Sequence, residues 1–184
     1  MNDRPVLLVS RFDRSSAGAC LSYLSAGTLL GELAYGYATS KIYLDIAEAA
    51  RRIGVHQPER EMFRRLLVNA YLRNTDDHLR NHAFINDGTG WSLSPVFDVV
   101  PHPSGTKYVY APVPGISREC NPSTAFATYT KFGLSAAETS FILEEIHEAT
   151  SRIPDSFDAR GVSRRDREIL LACFGSLPRT VASQ

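Results

Sequence analysis

Between Glu59 and Arg73 the apolar residues Met62, Phe63, Leu66, Leu67, Ala70 and Tyr71 recur at helical spacing. The chain then breaks into the polar run Asn74-Thr75-Asp76-Asp77-His78-Leu79-Arg80-Asn81. The periodic half predicts a helix with one face in a core and Arg60, Arg64, Arg65 and Arg73 on the other. The polar half predicts that this helix delivers carboxylates, amides and a histidine at its C-terminal end. A loop leaving a well-anchored helix is a rigid place from which to present such groups.

The neighbouring patterns supply what the apolar stripe must pack against. Ile42, Leu44, Ile46, Ala47, Ala50 and Ile53 predict a second helix, with Ser40 as its cap and Gly54 as its stop. Ser135 with Glu138 forms a capping-box signature ahead of Phe141, Ile142, Glu145, Ile146 and Ala149, and Pro154 is expected to close that helix. Ser163 with Asp166 opens another, through Ile169, Leu170, Cys173 and Phe174, with Gly175 as the stop. His82–Asn86 and Trp91–Ser94 predict two short strands joined through Asp87-Gly88-Thr89-Gly90. Pro5–Phe12 predicts a buried strand, followed by a Ser/Gly loop at Ser15–Gly18. The five prolines between Pro101 and Pro122 predict irregular chain there.

Composition removes several classes of function. The 184 residues suffice for one domain with its own core, and 43 % hydrophobic with 22 % charged residues is ordinary for a globular protein. A formal net charge of zero gives no footprint for direct nucleic-acid or anionic-membrane binding. The apolar runs are far shorter than a membrane span, and the first residues lack the pattern of a signal peptide. Three widely spaced cysteines (Cys20, Cys120, Cys173) predict free thiols in a cytoplasmic protein, without a disulfide framework.

Asp76 and Asn81 stand five apart, and Asp98 follows seventeen residues after Asn81 at the end of Ser94-Pro95-Val96-Phe97-Asp98. The hairpin between them would carry Asp98 back toward the first pair. One carboxylate able to take a hydroxyl proton, with an amide and a second carboxylate as hard oxygen donors for Mg2+, is the layout of a phosphotransferase site. The spacing also leaves open a plainer reading, in which Asn74, Asp76 and Asp77 only terminate the helix and start a turn. A zinc site on His78, His82 and His102 is a third reading. It is weakened by the absence of a glutamate base between the histidines and by Arg80 among them.

The blocks Leu8–Arg14, Asn74–Ile85 and Trp91–Pro101 together resemble the HipA-type serine/threonine kinases, the toxin subunits of HipA/HipB toxin–antitoxin pairs. Ser25–Leu30 and Tyr43–Ala47 are similar as well. The resemblance implies an α+β, mostly α fold. It is a kinase-like C-terminal lobe, a helical bundle with a small β-hairpin at the catalytic and metal site. It implies Asp76 as the catalytic base, His78 beside the ATP phosphates, and Asn81 and Asp98 as the Mg2+ ligands. It implies that Arg11, Phe12 and Asp13 form the hinge that meets the adenine and ribose of ATP.

The same resemblance exposes a departure. The family carries a Gly-rich phosphate loop and an ATP-contacting lysine upstream of the hinge. Here the ten residues before Arg11 include neither glycine nor lysine, and Lys41 is the sole lysine before the motif. The chain is therefore expected to be one C-terminal domain over residues 1–184, with 1–14 the last strand and hinge of an absent N-lobe and 15–184 the C-lobe. Each lost donor at a site of developing charge costs roughly 10²–10³ in rate, so the isolated chain is expected to be inactive or very weak. The partners expected are a protein substrate, a separate N-lobe polypeptide and a HipB-like antitoxin. The alternative is a truncated, non-catalytic family member that binds an antitoxin.

Overall fold

The computed structural model describes residues 8–31, 42–105, 107 and 118–178. In chain order its elements are β1 (Ser22–Ser25), α1 (Ala26–Leu29), α2 (Ile42–Arg52), α3 (Pro58–Leu72), β2 (Ala83–Asn86), β3 (Trp91–Leu93), α4 (Pro122–Phe126), α5 (Ala136–Ser151), α6 (Ile153–Ala159) and α7 (Arg164–Cys173). Single 3-10 turns lie at Leu79–Asn81 and Tyr129–Phe132.

α3 is the axis of the molecule. Pro58 opens it, where a missing amide costs nothing, and Glu59 and Glu61 place carboxylates at the positive end of its dipole. Met62, Phe63, Leu66 and Leu67 are fully buried. They share one core with Ile46 and Ala50 of α2, Ala125 and Phe126 of α4, and Ile142, Leu143 and Ile146 of α5. Phe63 meets Phe132 with ring centroids 5.4 Å apart. Each such aliphatic or aromatic side chain contributes about 1.5–3 kcal/mol on leaving water, which is why this stripe decides the fold. Arg73 ends the helix in the left-handed conformation, φ 56°.

The strands form a three-stranded antiparallel sheet in the order β1-β2-β3, with Leu24 opposite Phe84 and Phe84 opposite Leu93. Phe84, on the central strand, is fully buried and joins the helical core. The fold is α+β and mostly helical, as expected, but the sheet has a strand that the sequence pattern does not announce. Ser22–Ser25 is only half-buried and lacks a clear alternation.

Three other expectations are corrected. Leu8–Phe12 is not a buried strand: among the described residues nothing pairs with it, and Leu8 and Val9 are 91 % and 71 % exposed. Pro5–Leu7 of that expected strand lie outside the described residues, as do Ser40 and Lys41. Pro154 does not close α5; after the junction at Arg152 it sits in the first turn of α6, where proline is well tolerated. Arg65 does not face solvent. Its Nε donates to Glu61 at 2.9 Å and its Nη2 to the Ser94 carbonyl at 2.6 Å, so it pins the end of the hairpin to α3.

The predicted capping box is present, with Ser135 accepting from the Glu138 amide and Glu138 accepting from Ser135. All three cysteines are free thiols. Among the described residues no helix is long and apolar enough to cross a membrane.

Candidate functional site

Two loops share the same two anchor points. The first runs from Arg73, at the end of α3, to Ala83, at the start of β2, and carries Asp76, His78 and Asn81. The second runs from Ser94, after β3, to His102, and carries Asp98. The Ser94 amide donates to the Ala83 carbonyl at 2.8 Å, and the His102 amide donates to the Arg73 carbonyl at 3.1 Å. The loops are thus tied together at both ends, with Asn81 on one and Asp98 on the other. β2–β3 pairing fixes one tie and the C-terminus of α3 the other.

A third contact tightens this frame. A Cβ added at Gly105 would stand 2.6 Å from Thr75 Oγ1 and 3.0 Å from His102 Cβ. Only glycine lets the 102–105 turn lie so close to Thr75, the residue before Asp76. Nothing in the sequence around this glycine signals the close approach, because its neighbours are residues typical of loop.

Within the first loop, adjacent residues have opposite environments. Asp76 is exposed, and its carboxylate has no side-chain partner among the described residues. Asp77 is buried, accepting from the Tyr43 hydroxyl, with His82 Nε2 at 3.0 Å from the same oxygen. Burial alone would push the Asp77 carboxyl up. The pull of His82, the bonds from His82 and Tyr43 and the nearby His78 outweigh it, and the group is held below its ordinary value. By sequence alone Asp77 has no role beyond ending the helix. The one signal for it was an acidic residue next to an acidic residue, which spacing alone does not resolve.

Asn81 is buried, and its Nδ2 donates to the Asp76 carbonyl in a long bond of 3.4 Å. A carbonyl oxygen only accepts, so the amide nitrogen faces Asp76 and Oδ1 is left as the available donor to a cation. Asp98 is exposed and adopts φ 56°, the left-handed conformation that aspartate and asparagine tolerate better than most residues. His78 is half-buried, with its Nδ1 enclosed and unpartnered. His82 is packed, its ring edge-on to Tyr43 at 5.4 Å, and its Nε2 is occupied by Asp77. Among the described residues no group of three or more His, Cys, Asp or Glu side chains is placed to hold a metal.

The segment Arg11–Asp13 reaches this site through one ring. Phe12 stacks on Phe97, the residue before Asp98, at 5.5 Å, and also meets Tyr23 at 6.3 Å. Arg11 and Arg14 both pair with the Asp13 carboxylate, at 2.5 and 2.9 Å. The Arg11 hydrogen bond is the main cause that lowers the Asp13 carboxyl to about 2. The Arg14–Cys20 bridge then turns the chain back toward β1. Asp76, His78, Asn81 and Asp98 thus lie on the two tied loops, and Arg11–Asp13 on the segment stacked on the second.

The family model of the HipA-like C-terminal domain matches residues 1–153 of this chain. The chain belongs to that family. No curated protein matches it. The match to the HipA-like C-terminal domain takes in every residue named above, from Arg11 to Gly105, and the packed helices α2 to α5. α7 lies beyond it, joined to the domain by the Gly175 amide, which donates to the Tyr71 carbonyl at 2.7 Å, and by Phe174 against Tyr71.

Proposed function

We propose that this chain is the catalytic lobe of a HipA-like protein serine/threonine kinase, which moves the ATP γ-phosphate to a protein hydroxyl. The observation that supports this reading is the loop pair tied at both ends, with Asp76 and Asn81 on one loop and Asp98 on the other. The donor set fits Mg2+, because the Asn81 Oδ1 and the Asp98 carboxylate are hard oxygen ligands. Asn81 and Asp98 would hold the ion, whose chemistry there would be neutralisation of phosphate charge. The exposed Asp76 carboxylate, without a side-chain partner among the described residues, is suited to accept the proton of the acceptor hydroxyl. His78, between Asp76 and Asn81 in sequence, would donate toward phosphate, and Arg11–Asp13 would meet the nucleoside.

Among the described residues the site includes no lysine and no glycine loop, so in this reading the phosphates are gripped by groups outside it. The three free thiols suit a reducing cytoplasm. A second reading, a non-catalytic lobe that binds a HipB-like antitoxin, draws on the exposed Leu8, Val9, Val96 and Val100 around the Phe12–Phe97 stack.

Calorimetric titration of ATP into the chain, with and without Mg2+, tests the proposal. The expected result is weak binding that requires the ion and is lost in Asp98→Asn, with Asp76→Asn unaffected. Binding indifferent to Mg2+ and to Asp98, or stoichiometric zinc in the purified protein, would overturn it.

A further inference from the structure

Five buried polar side chains from four parts of the fold meet behind the Asp76 loop. Asn74 Nδ2 donates to Asn69 Oδ1 at 3.1 Å, and Asn69 Nδ2 donates to the Tyr43 hydroxyl at 2.8 Å. The Tyr43 hydroxyl in turn donates to Asp77 Oδ2, the oxygen that His82 Nε2 also meets. None of the five is more than 4 % exposed. α2, α3, the loop and the start of β2 are thus joined by one chain of hydrogen bonds. The far end is secured as well, since the His82 carbonyl accepts from the Ala26 amide at 2.9 Å.

We propose that Asp77 is a positioning residue for the site, acting with Tyr43. The inference rests on the kinase-lobe reading for its purpose, though not for its geometry. With Asp77 fastened inward by two donors on one oxygen, the backbone from Thr75 to His78 has one conformation, and the Asp76 side chain goes outward. The Asp76 carbonyl is fixed in the same act, and it is the acceptor that orients the Asn81 amide. One buried carboxylate therefore sets both the base and a metal ligand. A covering of apolar side chains would bury the loop equally well, but it would not select this register. A satisfied polar network does, and its members act together.

The test uses the full chain and the variants Tyr43→Phe, Asp77→Asn, Asp98→Asn and Ile142→Val. Ile142 lies in the core of α5 and serves as a control for general loss of stability. Conditions are chosen so that every variant is fully folded by circular dichroism. Backbone hydrogen exchange is followed over residues 74–82, and Mn2+ affinity is measured by electron paramagnetic resonance.

Tyr43→Phe and Asp77→Asn are expected to speed exchange in that segment roughly tenfold while Ile142→Val leaves it unchanged. They are also expected to weaken Mn2+ binding by roughly 10- to 100-fold, the usual effect of losing a partner that orients a metal ligand. Unchanged exchange over 74–82 in both variants would overturn the inference, as would acceleration matched by Ile142→Val. If Mn2+ affinity ignores Asp98→Asn, the metal reading of the site fails, and the exchange result still decides the role of Asp77.

Discussion

Asp76 and Asp77 are adjacent in the chain and opposite in environment: the first is exposed, without a side-chain partner among the described residues, and the second is buried and bonded by Tyr43 and His82. One carboxylate is tied into the fold, and its neighbour faces solvent.

Removing the Tyr43 hydroxyl leaves Asn69 and Asp77 each short of a buried partner. Tyr43→Phe should therefore cost about 1–3 kcal/mol in a urea unfolding curve. The pH dependence follows from Asp77. Its folded carboxyl lies below the ordinary value of 3.8, so its contribution is complete above that value and is lost as pH falls through the lower, folded one. Asp13, Asp87 and Glu138 are lowered as well and add to the acid loss of the parent. The difference between parent and Asp77→Asn isolates the Asp77 share: the two stability curves should converge as pH drops below 3.8. Parallel curves would contradict the assignment.

Gly105→Ala should destabilise by about 1–3 kcal/mol, because the new methyl has no room between Thr75 and His102. Thr75→Ala in the same chain removes the closest contact and should recover part of the loss. A thermal melt of Gly105→Ala identical to the parent would mean that the turn is not pressed against the Asp76 loop.

Arg65→Lys is conservative in charge alone. The guanidinium holds Glu61 and the Ser94 carbonyl together, and a single ammonium does not reproduce that fork. A loss of about 1–3 kcal/mol is expected, together with faster amide exchange at Ser94. An unchanged unfolding midpoint would contradict it.

With γ-labelled ATP and a generic protein acceptor, the 184-residue chain by itself should transfer label at background rates. Strong transfer abolished by Asp76→Ala would confirm the base but contradict the expectation that phosphate-gripping groups must be added.

The helical frame was legible because α2, α3 and α5 are written in apolar periodicity, caps and stops, which act locally. The site was legible as a set of residue types at fixed spacing, and the family blocks gave the set a meaning. What stayed hidden depends on contacts distant in sequence. Arg65 reads as a solvent-facing arginine until Ser94 is brought to it, and Gly105 reads as loop until Thr75 lies beneath it. Asp77 acquires a role only when Tyr43 arrives from α2. The Leu8–Phe12 run misled for the same reason. An apolar, valine-containing stretch reads as a buried strand, yet a strand forms only beside a partner, and none among the described residues pairs with it.

The most direct measurement is a Mn2+ titration of the full chain by electron paramagnetic resonance in the presence of ATP. It compares the parent with Asn81→Ala, Asp98→Asn and the remote Glu48→Gln. Asparagine is the substitute at Asp98 because it tolerates the same left-handed backbone. One bound-ion signal is expected, weakened at least roughly tenfold by either site change and untouched by Glu48→Gln. Equal affinity in all four proteins would contradict the assignment of Asn81 and Asp98 as the metal ligands, and with it the proposed kinase site.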